Sequence, residues 1–197
     1  MEPTSVDSSK LNGRQRAFLV LMRVLGWRII NQFPTLDKYL VIAAPHTTNW
    51  DFFYMLLMRG ASGMDIRWVG KDNLFRFPVG GVMRWLGGIP VNRRIRANFV
   101  DQIVTLYQQR EQIAVVIAPE GTRGRSVSWR TGFYYMALGA NVPIVMVGID
   151  YPSKTLEISN SFQPSGDLQA DFEIIRSFYK SKRGKYPDLQ SEITVGP

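Results

Sequence analysis

Residues 113–123 read Ile113-Ala114-Val115-Val116-Ile117-Ala118-Pro119-Glu120-Gly121-Thr122-Arg123. The first five are apolar without a break, the pattern of a strand covered on both faces, and they form the clearest central strand of the chain. The loop that follows changes character at once, offering an acid, a glycine and a cation. Two similar runs lie outward from it. Tyr39-Leu40-Val41-Ile42-Ala43 ends at Pro45, and residues 143–149 read Pro143-Ile144-Val145-Met146-Val147-Gly148-Ile149.

Between these runs the pattern is helical. Helices are predicted over residues 49–60, 77–86, 96–110, 131–138 and 166–182, with Asn49 and Asp167 as N-caps and Gly139 ending the fourth. Further strands are expected at 66–69 and 88–92, and an alternating edge strand at 155–159. Continuous apolar strands separated by helices imply an α/β fold, a single domain with a largely parallel central sheet flanked by helices. In such sheets sites collect beyond the carboxyl ends of strands. His46 follows one buried strand and Glu120 follows another, so one shared cleft is expected.

Composition narrows the chemistry. The 197 residues include no cysteine and one histidine, which removes disulfides, thiolate nucleophiles and histidine-rich metal centres. With 45% hydrophobic and 20% charged residues the chain is globular rather than disordered. The net charge of +8 favours an anionic partner, whether nucleic acid, a phospholipid surface or a phosphorylated substrate.

Residues 1–13 read as a flexible polar tail without the apolar stretch of a secretory signal. Residues 14–33 read as one amphipathic, membrane-associating helix, too interrupted by Arg23 and Arg28 to span a bilayer. Two readings stand for it. In one it lies at an interface, with Arg14, Arg16, Arg23 and Arg28 near headgroups and Phe18, Leu21, Leu25 and Trp27 dipping inward. In the other it packs on its own domain.

Three segments offer chemistry. In His46-Thr47-Thr48-Asn49-Trp50-Asp51 an imidazole precedes an acid by five residues. With His46 in the loop and Asp51 in the first turn of the next helix, the carboxylate can fix the tautomer and leave the other nitrogen to take a proton. A backbone-bonded histidine beside a capping aspartate is the competing reading. In Glu120-Gly121-Thr122-Arg123 the glycine permits close backbone approach and the arginine can bind phosphate in bidentate fashion, although a surface Glu–Arg turn has the same composition. Gly88-Ile89-Pro90-Val91-Asn92-Arg93-Arg94 sets an extended segment ahead of two arginines, for phosphate or simply for solvent. No P-loop pattern is present.

These three segments and Val142-Pro143-Ile144-Val145-Met146-Val147, in this order, resemble the four sequence blocks of the lysophospholipid acyltransferases, typified by 1-acylglycerol-3-phosphate O-acyltransferase. The resemblance covers residues 36–150. Pro45 stands where that family usually has Asn, Thr48 where Ser is common, Pro90 where Phe is usual and Met146 where a second Pro is frequent. His46, Asp51, Glu120, Gly121 and Arg123 match.

The resemblance implies a glycerolipid-acyltransferase-like domain over residues 34–197. It would move a fatty acyl group from acyl-CoA or acyl-carrier protein to a lysophospholipid hydroxyl, with no cofactor beyond the donor substrate and no metal. His46 would be the base and Asp51 its orienter. Arg93, Glu120, Gly121, Thr122 and Arg123 would meet the acceptor, with Glu120 bracing an arginine or binding the acceptor's polar end. Amides near Gly88 or Gly121 would meet the developing oxyanion, and Lys71 is either a phosphate contact or a surface lysine. It also implies a cytoplasmic enzyme, peripheral on the inner face of the cell membrane, that binds no nucleic acid. Trp50, Phe52, Phe53, Met55, Leu56, Val82, Met83 and Trp85 could line an acyl channel, but such stripes belong to the core first. A catalytically silent lipid-binding protein and a nucleic-acid-binding module are the rivals from other classes.

Overall fold

The computed structural model describes residues 11–91 and 96–196. Arg93 and most of the expected tail lie outside these residues. Helix α1 (Gly13–Val24) comes first, then β1 (Arg28–Ile30), β2 (Lys38–Ala44), α2 (Trp50–Ser62), β3 (Ile66–Lys71), α3 (Gly80–Trp85), β4 (Gly88–Val91) and α4 (Arg96–Gln108). The chain continues through β5 (Ile113–Ile117), α5 (Gly132–Ala140), β6 (Ile144–Asp150), β7 (Thr155–Ile158) and α6 (Leu168–Tyr179). Among the described residues one seven-stranded sheet runs β1-β7-β6-β2-β5-β3-β4. Every neighbouring pair is parallel except β6 with β7.

The apolar runs are continuous because both faces of the sheet are covered. Tyr39 and Val41 of β2 join Ala114, Val116, Val145 and Val147 in a core under α1 and α2. Leu40, Ile42 and Ala44 point the other way, into a core with Ile113, Val115, Ile144 and residues of α4, α5 and α6. The period-two alternation of a strand therefore sorts one apolar run into two cores.

Three expectations change. The helix expected over 14–33 ends at Val24, because Gly26 turns left-handed at φ 78° and the Trp27 amide bonds back to Met22 O at 2.9 Å. Residues 28–30 then enter the sheet beside β7, so 155–158 is not an edge strand. Phe18 and Trp27 pack into the domain rather than projecting from it: a Cβ on Gly60 of α2 would stand 2.5 Å from the Phe18 ring, and Trp27 stacks 4.1 Å from the Tyr54 ring. Finally, α5 runs through Gly139 and stops at Asn141, whose φ of 52° is left-handed.

Two buried tyrosines tie the second layer to β2. Tyr107 of α4 donates to Tyr39 O at 2.7 Å, and Tyr179 of α6 donates to Ile42 O at 2.6 Å. Each ring fills core volume while its hydroxyl is satisfied. Tyr179→Ala is expected to lower the unfolding free energy by about 3–5 kcal/mol, and Tyr179→Phe by about 1 kcal/mol, as read by urea denaturation.

Candidate active site

Strands β5, β2 and β6 lie side by side and run the same way, so their carboxyl ends open at one edge. After β2 the chain turns to α2 on one face, and after β5 it turns to α5 on the other. Where adjacent strands depart to opposite faces, a crevice is left between their loops. His46, Glu120 and Tyr151 follow these three strands directly.

Asp51 sits in the first turn of α2, 2% exposed, and its carboxylate is fully engaged. Oδ2 lies 3.1 Å from His46 Nδ1 and accepts the amides of Thr47 and Thr48, each at 2.9 Å. Oδ1 accepts the Tyr151 hydroxyl at 2.7 Å. An ionised carboxylate only accepts, and all four partners can donate. Asp51, not Asn49, thus gathers the amides ahead of α2, since the Asn49 side chain makes no capping bond.

With Nδ1–H directed to Asp51, the lone pair of His46 lies on Nε2. The side chain remains 19% exposed, so the ring reaches the crevice. Tyr151 is a positioning residue that sequence reading missed. Burial, and next the Asp51 carboxylate, push its phenol above the usual range, so it stays a neutral donor. Its ring meets Trp27 edge-on at 5.0 Å. The available signal was its place just beyond the end of a central strand.

Glu120 takes a different place from the one expected. It is 2% exposed, accepts the His46 amide on Oε2 at 2.5 Å and the Ser191 amide on Oε1 at 3.3 Å. Among the described residues it braces no arginine. It joins the loop after β2 to the carboxyl-terminal segment through these two amides. Gly121, at φ 69°, gives its amide to Ala118 O at 3.1 Å, so that amide closes a turn and is not aimed at a phosphate or an oxyanion. A Cβ on Gly121 would stand 2.5 Å from Arg130 Nε. The glycine lets a second guanidinium cross the loop, and no local pattern pointed to Arg130.

Thr122 accepts the Gly124 amide at 3.2 Å through its hydroxyl. Arg123 is exposed and has no ion pair among the described residues. The segment after α6 also reaches the site. Tyr186 N bonds Thr47 Oγ1 at 3.3 Å, and Lys185 Nζ lies 5.5 Å from the centre of the Trp50 ring. Trp50, Phe53, Val82 and Trp85, read as core, are exposed, whereas Met55 is buried.

Fold and site define an α/β protein whose histidine–carboxylate pair opens at the carboxyl edge of a mostly parallel sheet. The family model described as Acyltransferase matches residues 26–150, and the chain belongs to that family. The resemblance read from four segments, to the lysophospholipid acyltransferase superfamily, is borne out.

Over 97 residues the chain is 31% identical to the 1-acyl-sn-glycerol-3-phosphate acyltransferase of Salmonella typhimurium, a match covering 46% of this chain and 40% of that protein. The Escherichia coli enzyme of the same name matches to the same extent. Human 1-acyl-sn-glycerol-3-phosphate acyltransferase beta is 34% identical over 104 residues, 50% of this chain and 37% of that one. The chain therefore spans well under half the length of these curated relatives. The crystal structure of the 1-acyl-sn-glycerophosphate (LPA) acyltransferase PlsC from Thermotoga maritima superposes with a TM-score of 0.60 at 18% identity, over 87% of this chain and 80% of that one. It shares the fold.

Burial raises the Glu120 carboxyl above the ordinary range, against the pull of its two amide donors. The folded chain therefore holds that proton at a pH where the unfolded chain has released it. This contribution to stability is complete below the ordinary glutamate value of about 4.3 and is lost as the pH climbs through the raised one. The wild type is expected to lose stability relative to Glu120→Gln as the pH rises from about 4.3, measured by denaturant unfolding of both proteins across pH. A pH-independent difference would contradict this.

Proposed function

We propose that this chain is an O-acyltransferase. It moves a fatty acyl group from acyl-CoA or acyl-carrier protein to the free hydroxyl of a lysophospholipid, with 1-acylglycerol-3-phosphate as the leading acceptor and phosphatidic acid as product. One observation carries the reading: in a chain of the acyltransferase family, His46 is held by a buried, four-fold bonded Asp51 with Nε2 toward the crevice.

The acceptor hydroxyl gives its proton to His46 Nε2 as its oxygen attacks the thioester carbonyl. Asp51 accepts from Nδ1 throughout and steadies the imidazolium. The tetrahedral intermediate collapses with loss of the C–S bond, and the departing thiolate takes the proton from Nε2. Base and acid are one residue, and no covalent enzyme intermediate is required. General-base catalysis of this kind is worth about 10²–10⁴ in rate.

Arg123 and Arg130 carry the acceptor phosphate in this scheme. Both project from the loop that Glu120 ties to the His46 amide, and phosphate is the partner a guanidinium fork fits best. Arg93 keeps its proposed phosphate contact on the resemblance alone. The donor, either thioester carrier, enters the same crevice. We place the protein in the cytoplasm, peripheral on the inner face of the membrane. The +8 charge supports contact with an anionic surface, and among the described residues no helix is long and apolar enough to cross a bilayer.

The test offers purified protein a panel of lysolipids, with acyl-CoA and separately with acyl-carrier protein, and detects product by mass spectrometry. His46→Ala is expected to cut turnover by about 10²–10⁴-fold while leaving the fold intact, as read by circular dichroism. Arg123→Ala is expected to raise KM for phosphate-bearing acceptors by about 10- to 100-fold, the loss of a charge-assisted bond. Full turnover by His46→Ala would refute the base assignment, and binding of lysolipid without thioester consumption would replace the enzyme by a lipid-binding protein.

A further inference from the structure

The crossover from β3 to β4 is built unlike the other helical connections. Residues 71–87 must return the chain from the carboxyl edge of the sheet to its opposite edge, and they do so with a single-turn helix at Asp72–Phe75 followed by α3. Only Phe75, Gly80 and Gly87 are buried in this stretch. Phe75 stacks on Trp68 at 5.7 Å, Trp68 Nε1 donates to Leu86 O at 3.0 Å, and Arg84 Nη1 donates to Phe75 O at 3.2 Å. A Cβ on Gly80 would stand 2.0 Å from Phe75 O, so the start of α3 lies backbone to backbone on the preceding turn, while Met83 packs on the core.

A helix seated through Gly80 and Met83 leaves most of its side chains outside. Phe77 is 98% exposed and Trp85 79%, with Leu74, Val79 and Val82 about half exposed between them. Large apolar side chains gathered on one exposed segment mark a contact surface. Among them stand the exposed cations Lys71, Arg76 and Arg84, with Asp72 the one acid of the crossover.

We propose that this crossover is the surface by which the protein docks on an anionic lipid bilayer. Phe77, Val79, Val82 and Trp85 enter the acyl boundary while Lys71, Arg76 and Arg84 meet the lipid phosphates. The composition decides the occupant. Arg76 adjoins Phe77 and Arg84 adjoins Trp85, which suits a layer where headgroup charge and hydrocarbon lie within one side-chain length. A second copy of this chain, at +8, would bring like charge to the same face. The exposed apolar residues of α1 and its cap, Val20, Leu21, Val24 and Leu25, are aliphatic, with no exposed aromatic ring among them, and make a lesser contact.

The crossover departs from the sheet edge that carries His46, two strands away. Docking there brings a bilayer-borne lysolipid to the crevice, a consequence that rests on the acyltransferase reading; the docking itself does not.

The experiment measures co-sedimentation of the full chain with vesicles of phosphatidylcholine alone and of phosphatidylcholine mixed with phosphatidylglycerol, at low and high salt. The wild type is expected to bind the anionic vesicles, more weakly at high salt. The double variant Phe77→Ser, Trp85→Ser should lower the partition coefficient by about 10- to 100-fold, the loss of two buried aromatic rings, with an unchanged unfolding midpoint. Val20→Ser with Val24→Ser should leave binding near the wild-type level.

Absence of vesicle binding by the wild type, unaltered binding by the crossover variant, or loss of binding through the α1 variant alone would each overturn the proposal. So would a wild-type dimer, seen by sedimentation equilibrium, that the crossover variant dissolves without changing vesicle binding. Acyl transfer separates the two readings. The crossover variant should acylate monomerically dispersed lysolipid at the wild-type rate and vesicle-borne lysolipid more slowly. Vesicle binding without acyl transfer to either acceptor would remove the enzyme and keep the docking surface.

Discussion

A carboxylate withdrawn from water is tolerated only when its lone pairs are taken by donors, and Asp51 meets that requirement with groups from two parts of the chain. The imidazole and two amides come from the loop after β2, and the phenol comes from the residue after β6. The same four bonds fix the start of α2, the direction of the imidazole and the place of Tyr151. Tyr151 in turn leans on Trp27, just ahead of β1. The geometry of the base is thus coupled to the edge of the sheet at β1, and the junction of α1 with β1 is part of the site's support.

Glu120 solves the same electrostatic problem differently. It has two amide donors where Asp51 has four partners, and burial prevails over them, raising its carboxyl. Its geometry fits a brace between the β2 and β5 loops, with Ser191 as third member. That third member lies beyond the 26–150 span of the family match. Residues 182–195 go on to pair with the 126–129 loop, Trp129 N meeting Thr194 O at 2.9 Å. The carboxyl-terminal segment therefore closes the site from outside the four blocks, and brings Lys185 over Trp50.

Glycine placement separates the two exposed regions that matter. Gly121 yields space for the Arg130 guanidinium, and Gly80 yields space for a peptide carbonyl. In the first case the result is a guanidinium laid across the loop that also carries Arg123. In the second it is a helix that hides its backbone and displays most of its side chains. Neither outcome follows from hydrophobicity. The period of the 77–86 segment is compatible with core, yet Val82 and Trp85 face outward because α3 meets the domain through Gly80 and Met83.

Local sequence determined the strands at 38–44, 113–117 and 144–150, since a doubly covered strand is apolar almost throughout, but the stop of α1 ahead of Gly26 was not legible in it, because the apolar pattern runs on past that glycine into β1. It also placed His46 and Asp51 within reach of each other, because five residues of loop and first turn suffice. Tertiary structure alone decided that β1 joins the sheet, that Glu120 ties the β2 and β5 loops, that Tyr151 holds Asp51 and that Arg130 crosses Gly121. Those partners are separated from their targets along the chain, Tyr151 from Asp51 by 100 residues and Glu120 from His46 by 74. Periodicity and turn chemistry act over a few residues, whereas such contacts exist only once parallel strands have brought their carboxyl ends to a common edge.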